Sequence, residues 1–299
     1  MRILVCGANG QLGSELTRLL KEGCAEIGPI SASYEGAELV KTDVAELDIT
    51  DANAVDAFIS EGKLDLVINC AAMTNVDGCE EHEEAAYRIN ASGAENLALA
   101  AAKYGAKVVY ISTDYVFSGD DPTERIESDE PDPQSAYGRT KLAGELLVQQ
   151  ANPRHFIIRT AWLYGYVGKN FVKTIMELAR NNGTIKVVDD QRGNPTSAND
   201  LAYEIFKIAD TEDYGIYHCT NNGTCSWFDF ASAIVDKAGI PCEKIPCATD
   251  EFPRPAKRPA FSSLRNKRLE DTLGDEMREW QAALDNFFEN LPELGDKPV

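Results

Sequence analysis

The stretch RILVCGANGQLGSELTRLLKEG, residues 2–23, decides the fold. A short apolar run ends at a glycine, and a helical pattern begins four residues later. Leu12, Leu16, Leu19 and Leu20 recur on one face of that helix, and Gly23 fits its C-cap. Between strand and helix stand Gly7, Gly10 and Gly13, a G-x-x-G-x-x-G variant of the dinucleotide fingerprint. Glycine permits the tight turn and a close approach of the backbone, so the helix N-terminus can hold a pyrophosphate. As the first strand-to-helix turn of the chain, the segment Gly7, Asn9, Gly10, Gln11, Leu12 and Gly13 is expected at a bound nucleotide.

Outward from this turn, β-rich apolar runs alternate with helical segments. DLVINCAA (65–72), KVVYIST (107–113) and HFIIRT (155–160) are continuous apolar runs, as expected of strands buried on both faces of a parallel sheet. EEAAYRINASGAENLALAAAKYG (83–105) reads as one helix. AEIGPIS (25–31) reads as the second strand, ending at Ser31. This alternation predicts an α/β protein with a doubly wound Rossmann-type parallel sheet, its ligands at the carboxyl ends of the strands. After about residue 163 the pattern loosens into short strands, helices and proline-rich loops, with a capping box at Ser226 and Asp229. The expectation is a nucleotide-binding domain over 1–163 and a smaller C-terminal α/β substrate lobe over 164–299, with segments of about 190–222 returning to the first domain.

The chain has 299 residues, 43% of them hydrophobic, and a formal charge of −20. Such a charge repels nucleic acid and anionic lipid and argues against both as partners. The N-terminal segment is not a signal or transit peptide, and no run has the length of a membrane span. Eight cysteines without a C-x-x-C, joined by three histidines, indicate a reducing cytoplasm and no metal site. The N-x-[ST] matches at Asn90, Asn182 and Asn222 are then chance. One basic island, Arg254, Lys257, Arg258, Arg265, Lys267 and Arg268, interrupts the acidic background and asks for a local anion or a solvated loop.

SAYGRTKLAGE (135–145) puts Tyr137 and Lys141 on one helix face, four residues apart, bracketing a small volume with a phenol and an ammonium. GANGQLG, NCAAMTNVDGCE, ISTDYVFSG, YGRTK and RTAWLYG follow one another in the order and spacing of the extended short-chain dehydrogenase/reductase superfamily. Within it, STDYVF, RTAWLYG, DDQRGNPTSANDLA and the late RPAFSSL most resemble the dTDP-4-dehydrorhamnose reductase family, over nearly the whole chain.

The resemblance implies reduction of dTDP-4-dehydro-6-deoxy-L-mannose (dTDP-4-dehydrorhamnose) to dTDP-L-rhamnose by hydride from NADPH or NADH. Tyr137 is then the proton donor, Lys141 lowers its pKa and grips the nicotinamide ribose, and Thr113 holds the carbonyl oxygen. Ser112, next to Thr113, points into the sheet. The nucleotide side takes in Ala71, Ala72 and Thr74 of NCAAMT, and Asp48 with Ile49 flank the adenine unless Asp48 caps the next helix. Asp114 contacts substrate, Trp162 stacks on the thymine, and Arg258 forks onto the substrate pyrophosphate. Asp190, Gln191 and Asn194 make sugar or loop contacts. Asn90 holds a water behind Lys141 or packs the helix.

An acid at the end of strand two favours NAD and a base NADP. Ser31 is neither, which leaves the choice open with a lean to NADPH. The resemblance allows a homodimer. The acidic residues by which some members bridge a dimer through Mg²⁺ are matched only at Glu15, with Asn199 and Asn290 at the other expected positions, and no metal is expected. Two other readings stand beside the reductase: an NAD-dependent nucleotide-sugar 4-epimerase, and a non-catalytic NADP-binding regulatory subunit, against which the set Thr113, Tyr137 and Lys141 argues.

Overall fold

The computed structural model describes residues 1–294. Six strands form the central sheet: β1 (Arg2–Cys6), β2 (Glu38–Thr42), β3 (Leu66–Asn69), β4 (Lys107–Thr113), β5 (His155–Thr160) and, after four short strands, β10 (Gly215–His218). The intervening strands are β6 (Leu163–Tyr164), β7 (Thr184–Val188), β8 (Arg192–Gly193) and β9 (Thr196–Ser197), with β11 (Cys225–Ser226) and β12 (Glu243–Cys247) later. The order β10-β5-β4-β3-β1-β2, with every pairing in this sheet parallel, makes it doubly wound. The direction of winding reverses at β1, and the glycine turn sits at that switch point, where ligands of such sheets bind.

Alternation along the strands builds two apolar layers. Ile3, Val5, Leu66, Ile68, Val109, Phe156 and Ile158 pack on one face against α1 (Gln11–Glu22) and, further along the chain, α8 (Ala198–Ala209). Leu4, Cys6, Val67, Val108, Tyr110 and Ile157 face the other way, toward α2 (Ala52–Gly62), α5 (Ala94–Tyr104) and α6 (Ala136–Ala151). Each fully buried aliphatic side chain contributes about 1.5–3 kcal/mol, which is why these strands read as unbroken apolar runs. As expected, Gly23 caps α1 in the left-handed conformation, and Leu12, Leu16 and Leu19 are buried.

A smaller apolar cluster lies beyond the sheet. It joins α7 (Phe171–Asn182), the parallel pair β7 and β12, α9 (Trp227–Lys237) and α11 (Trp280–Leu294) through Ile175, Ile185, Phe230, Ile234 and Leu284. Ser226 and Asp229 close the capping box of α9. Segments after residue 190 also enter the first layer: β10 is an edge of the main sheet, and Leu269 of α10 (Lys267–Thr272) joins the cluster beneath α1.

Two readings of the sequence are corrected. AEIGPIS is not a strand: it makes only a bridge between Cys24 and Pro29, then a 3₁₀ turn at Ala32–Tyr34. Proline lacks the N–H a ladder needs, and the neighbour of β1 is instead ELVKT. Ser31 therefore lies away from the strand end, its hydroxyl donating to Asp210 at 2.7 Å, and the residue following β2 is Asp43. The helix of residues 83–105 is also interrupted. Between α4 (Glu83–Tyr87) and α5, Arg88–Gly93 form a π-helical turn, a widening that recurs at functional sites.

Candidate active site

The glycine turn is built by close approach. Gly7 has φ 71°, and a Cβ there would stand 2.8 Å from the Ala71 nitrogen; one at Gly13 would stand 2.3 Å from the Gly7 carbonyl oxygen. Only glycine fits either position. Gly10 is the N-cap of α1 and no side chain caps its amides, so the helix offers free N–H groups and the positive end of its dipole to an anion.

Two cavities of about 580 and 590 Å³ meet at this turn, sharing Gly7, Gly10, Cys70 and Ala72. The first extends along the strand ends past Asn9, Gln11, Leu12, Gly13 and Thr74 to Thr113, Asp114, Tyr137, Lys141 and Trp162. The second takes in Ala71, Asp48 and Ile49. The backbone at the turn and the uncapped helix suit a dinucleotide diphosphate, and the second cavity suits its adenosine. Asp48 accepts from the Thr50 amide and hydroxyl at 2.9 and 2.8 Å, and the cap of α2 is Asp51.

Three residues of the first cavity are positioned by two elements. Thr113 ends β4, and its hydroxyl donates to Asp114 Oδ1 at 2.9 Å. Tyr137 and Lys141 lie one turn apart on α6, whose N-cap Ser135 accepts from the Gly138 amide. Gly138 lets α6 lie against the Tyr115 carbonyl, where a Cβ would come within 2.2 Å. Burial pushes the Tyr137 phenol well above its usual value, against a lowering hydrogen bond with Thr113. The expectation that Lys141 pulls this pKa down is not met. The Lys141 ammonium lies 4.1 Å over the Tyr110 ring instead, and its own burial brings it down to about 7. Burial also raises the Asp114 carboxyl to about 6, against hydrogen bonds from Ser262 and Thr113. Ser112 points inward, its hydroxyl bonded to Glu145 at 2.5 Å.

Three further residues are placed by their contacts. Asn90 is a packing clamp: its amide joins the Met73 backbone N–H and carbonyl and the Thr140 hydroxyl at 2.8–3.1 Å. Arg258 lines neither cavity. Its guanidinium is held by Asp77 at 3.0 Å, on α3 (Val76–Glu81), and also donates to the Ala256 carbonyl. Trp162, with φ 48°, is stacked on Trp227 at 3.5 Å and 5°, so one ring face is already covered. Asp190 and Gln191 bond Thr249, and Asn194 bonds Gly223 and Leu264, which makes all three loop contacts. Glu15 is buried against Arg18 and Asn199 at 2.8 and 2.9 Å.

The sequence reading missed several residues at the cavities. Asp43, which accepts from the Asn9 amide at 3.3 Å, lines the second cavity with Arg88. Its signal was the run ELVKT, masked by the more apolar AEIGPIS. Tyr115, Lys169 and Trp227 line the other cavity. Tyr115 meets Tyr137 edge to face at 5.5 Å, and nothing local in the sequence brings Trp227 from the distant lobe.

The comparisons with known proteins agree on one family. Residues 1–292 match the family model described as the RmlD substrate binding domain. The chain is 40% identical over 290 residues to a dTDP-4-dehydrorhamnose reductase of Mycobacterium tuberculosis, covering 95% of this chain and 91% of that protein. A crystal structure of a dTDP-4-dehydrorhamnose reductase from Clostridium acetobutylicum superposes with a TM-score of 0.92 at 50% identity, covering 98% and 100% of the two chains. One from Bacillus anthracis, solved in complex with NADP, gives 0.90 at 40% identity, covering 97% and 99%.

Proposed function

The chain belongs to the family of the RmlD substrate binding domain, and from that premise we infer that it is an NADPH-dependent oxidoreductase that reduces dTDP-4-dehydrorhamnose to dTDP-L-rhamnose. The observation that carries this reading is the convergence of Thr113, Tyr137 and Lys141 on one cavity that opens onto the glycine turn. The names of its relatives and the NADP bound by one of them support the same activity.

Bound NADPH supplies the hydride. The chain would hold it through the turn Gly7 to Gly13 and the amides of α1, with Lys169 bringing a cation to the cavity that Gln11 and Gly168 also line. The carbonyl of the sugar accepts a hydrogen bond from Thr113, whose hydroxyl turns from Asp114 to do so. Tyr137 then gives its proton to that oxygen as charge develops there. A phenol kept neutral by burial is loaded with this proton at physiological pH. With the cofactor bound, Lys141 would donate to the nicotinamide ribose. Asp114 accepts from a sugar hydroxyl, and Trp162, in the cavity wall, backs the substrate. With eight free cysteines and no helix long and apolar enough to cross a membrane among the described residues, we place the enzyme in the cytoplasm.

The test is to mix the protein with dTDP-4-dehydro-L-rhamnose and NADPH and follow the reduced nicotinamide absorbance. One NADPH should be consumed per sugar. A protein that binds NADPH and leaves it unconsumed with this substrate contradicts the reading.

A further inference from the structure

Beyond Tyr137 and Lys141, the same face of α6 carries Glu145, one more turn along and fully buried. Its carboxylate is pinned from two strands. Arg159 of β5 donates Nε to Oε1 at 2.9 Å and Nη2 to Oε2 at 2.7 Å, and Ser112 of β4 donates to Oε1 at 2.5 Å. Arg159 is 1% exposed and stacks 5.1 Å over Phe117. His218 of β10, beside it, is kept neutral by burial and by that guanidinium. The pair is anchored far more firmly than a surface ion pair needs.

Lys141 itself is 2% exposed, and among the described residues its ammonium has no ion pair and no hydrogen bond. Its surroundings offer little to hold a charge. Cys70, after β3, and Cys79, on α3, are thiols kept neutral by burial, and Tyr110 and Tyr137 are neutral phenols. The carboxylate acting on Lys141 is Glu145. A direct ion pair would occupy the ammonium's donors. A fixed carboxylate one helical turn away supplies the field and leaves them free.

We propose that Glu145, held by Arg159 and Ser112, is a positioning residue that keeps Lys141 charged in its dry cleft while leaving its donors to the ligand. The proposal rests on the assignment of Lys141 to the reductase site. Its test is independent of turnover: carbon-13 NMR titration of protein labelled at lysine Cε, free of cofactor, with the Lys141 signal assigned by Lys141→Arg. In Glu145→Gln the Lys141 midpoint should fall by about one pH unit or more, and Glu145→Asp should recover part of the fall. The loss of NADPH affinity at high pH, read by nicotinamide fluorescence, should move down with it. A folded Glu145→Gln protein whose Lys141 midpoint matches wild type overturns the proposal. If that variant does not fold because Arg159 is left unpaired, the double change Glu145→Gln with Arg159→Met carries the same test: a lowered midpoint supports it and an unchanged one overturns it. A lowered midpoint in a protein that never reduces the dTDP-sugar would keep this inference and sink the reductase reading.

Discussion

Tyr137 and Lys141 were legible because their chemistry lies within one helix, where a spacing of four residues fixes a common face. How the two interact was not legible. The spacing suggested an ammonium lowering a phenol, whereas the fold buries Lys141, half-buries Tyr137 and turns Lys141 onto the face of Tyr110. Burial acts on each group separately, and no sequence pattern states how dry a cleft is. The proton-donor role is tested by Tyr137→Phe, in which the ring still packs against Tyr115 but has no proton to give. Its kcat should fall on the order of 10² to 10⁴ while NADPH binding, followed by fluorescence titration, changes little. A variant keeping half of wild-type kcat would remove Tyr137 from that role.

Among the elements, the caps and the continuous apolar strands were read correctly, and the second strand, chosen by tertiary pairing, was not. The caps at Gly23 and at Ser226 with Asp229 follow from a few neighbouring residues. The second strand was misplaced because AEIGPIS is the more apolar run, yet pairing with β1 selects ELVKT. The residue at the end of the second strand thereby moved from Ser31 to Asp43, an acid that by the strand-two rule favours NADH, and the lean to NADPH drawn from Ser31 lost its ground; NADPH rests instead on the NADP complex of a relative. The segment 254–259 is a second case. Read as part of a basic island that asks for a local anion or a solvated loop, it is strapped down by Arg258 to Asp77 at 3.0 Å and Lys257 to Asp120 at 3.1 Å, with Pro259 against Gly119. If Arg258 serves the substrate by holding this strap, Arg258→Ala and Asp77→Asn should both raise KM for the dTDP-sugar, by about tenfold for loss of a charge-assisted bond, and leave KM for NADPH alone. Steady-state kinetics with each substrate varied decides it: an effect of Arg258→Ala without one of Asp77→Asn would instead put the guanidinium directly on the diphosphate.

α8 carries its own test. Glu204 is fully buried with Oε2 unbonded, and burial raises its carboxyl to about 7, against the attraction of Lys207. A folded-state pKa above the unfolded value means that the folded protein binds the extra proton. Its stabilising effect is therefore complete below about pH 4.5 and is lost as pH rises through about 7. Glu204→Gln keeps the acceptor for the Glu276 amide and cannot ionise. Its stability relative to wild type should rise between pH 4.5 and 7 by up to about 3 kcal/mol, seen in thermal melts at several pH values. A constant difference across that range would place the ionisation elsewhere.

At the scale of the whole molecule, the sheet brings the glycine turn, Thr113 and the end of β5 to one edge, and the cavity there also takes in Trp227 of α9. The parallel sheet was readable from its apolar runs, and the resemblance in five ordered motifs agrees with the family match over residues 1–292. The return of β10 and α10 to the first layer was only partly readable, because late segments join an earlier core through contacts with no local signature. A reductase passes a hydride from the cofactor to the sugar's C4 and keeps none back. The most direct measurement uses NADPH deuterated at both C4 positions of the nicotinamide with dTDP-4-dehydro-L-rhamnose, and locates the label by NMR of the product. One deuterium should appear at C4 of dTDP-L-rhamnose for each NADPH oxidised. A sugar product without that label, or one formed with no loss of NADPH, would contradict it.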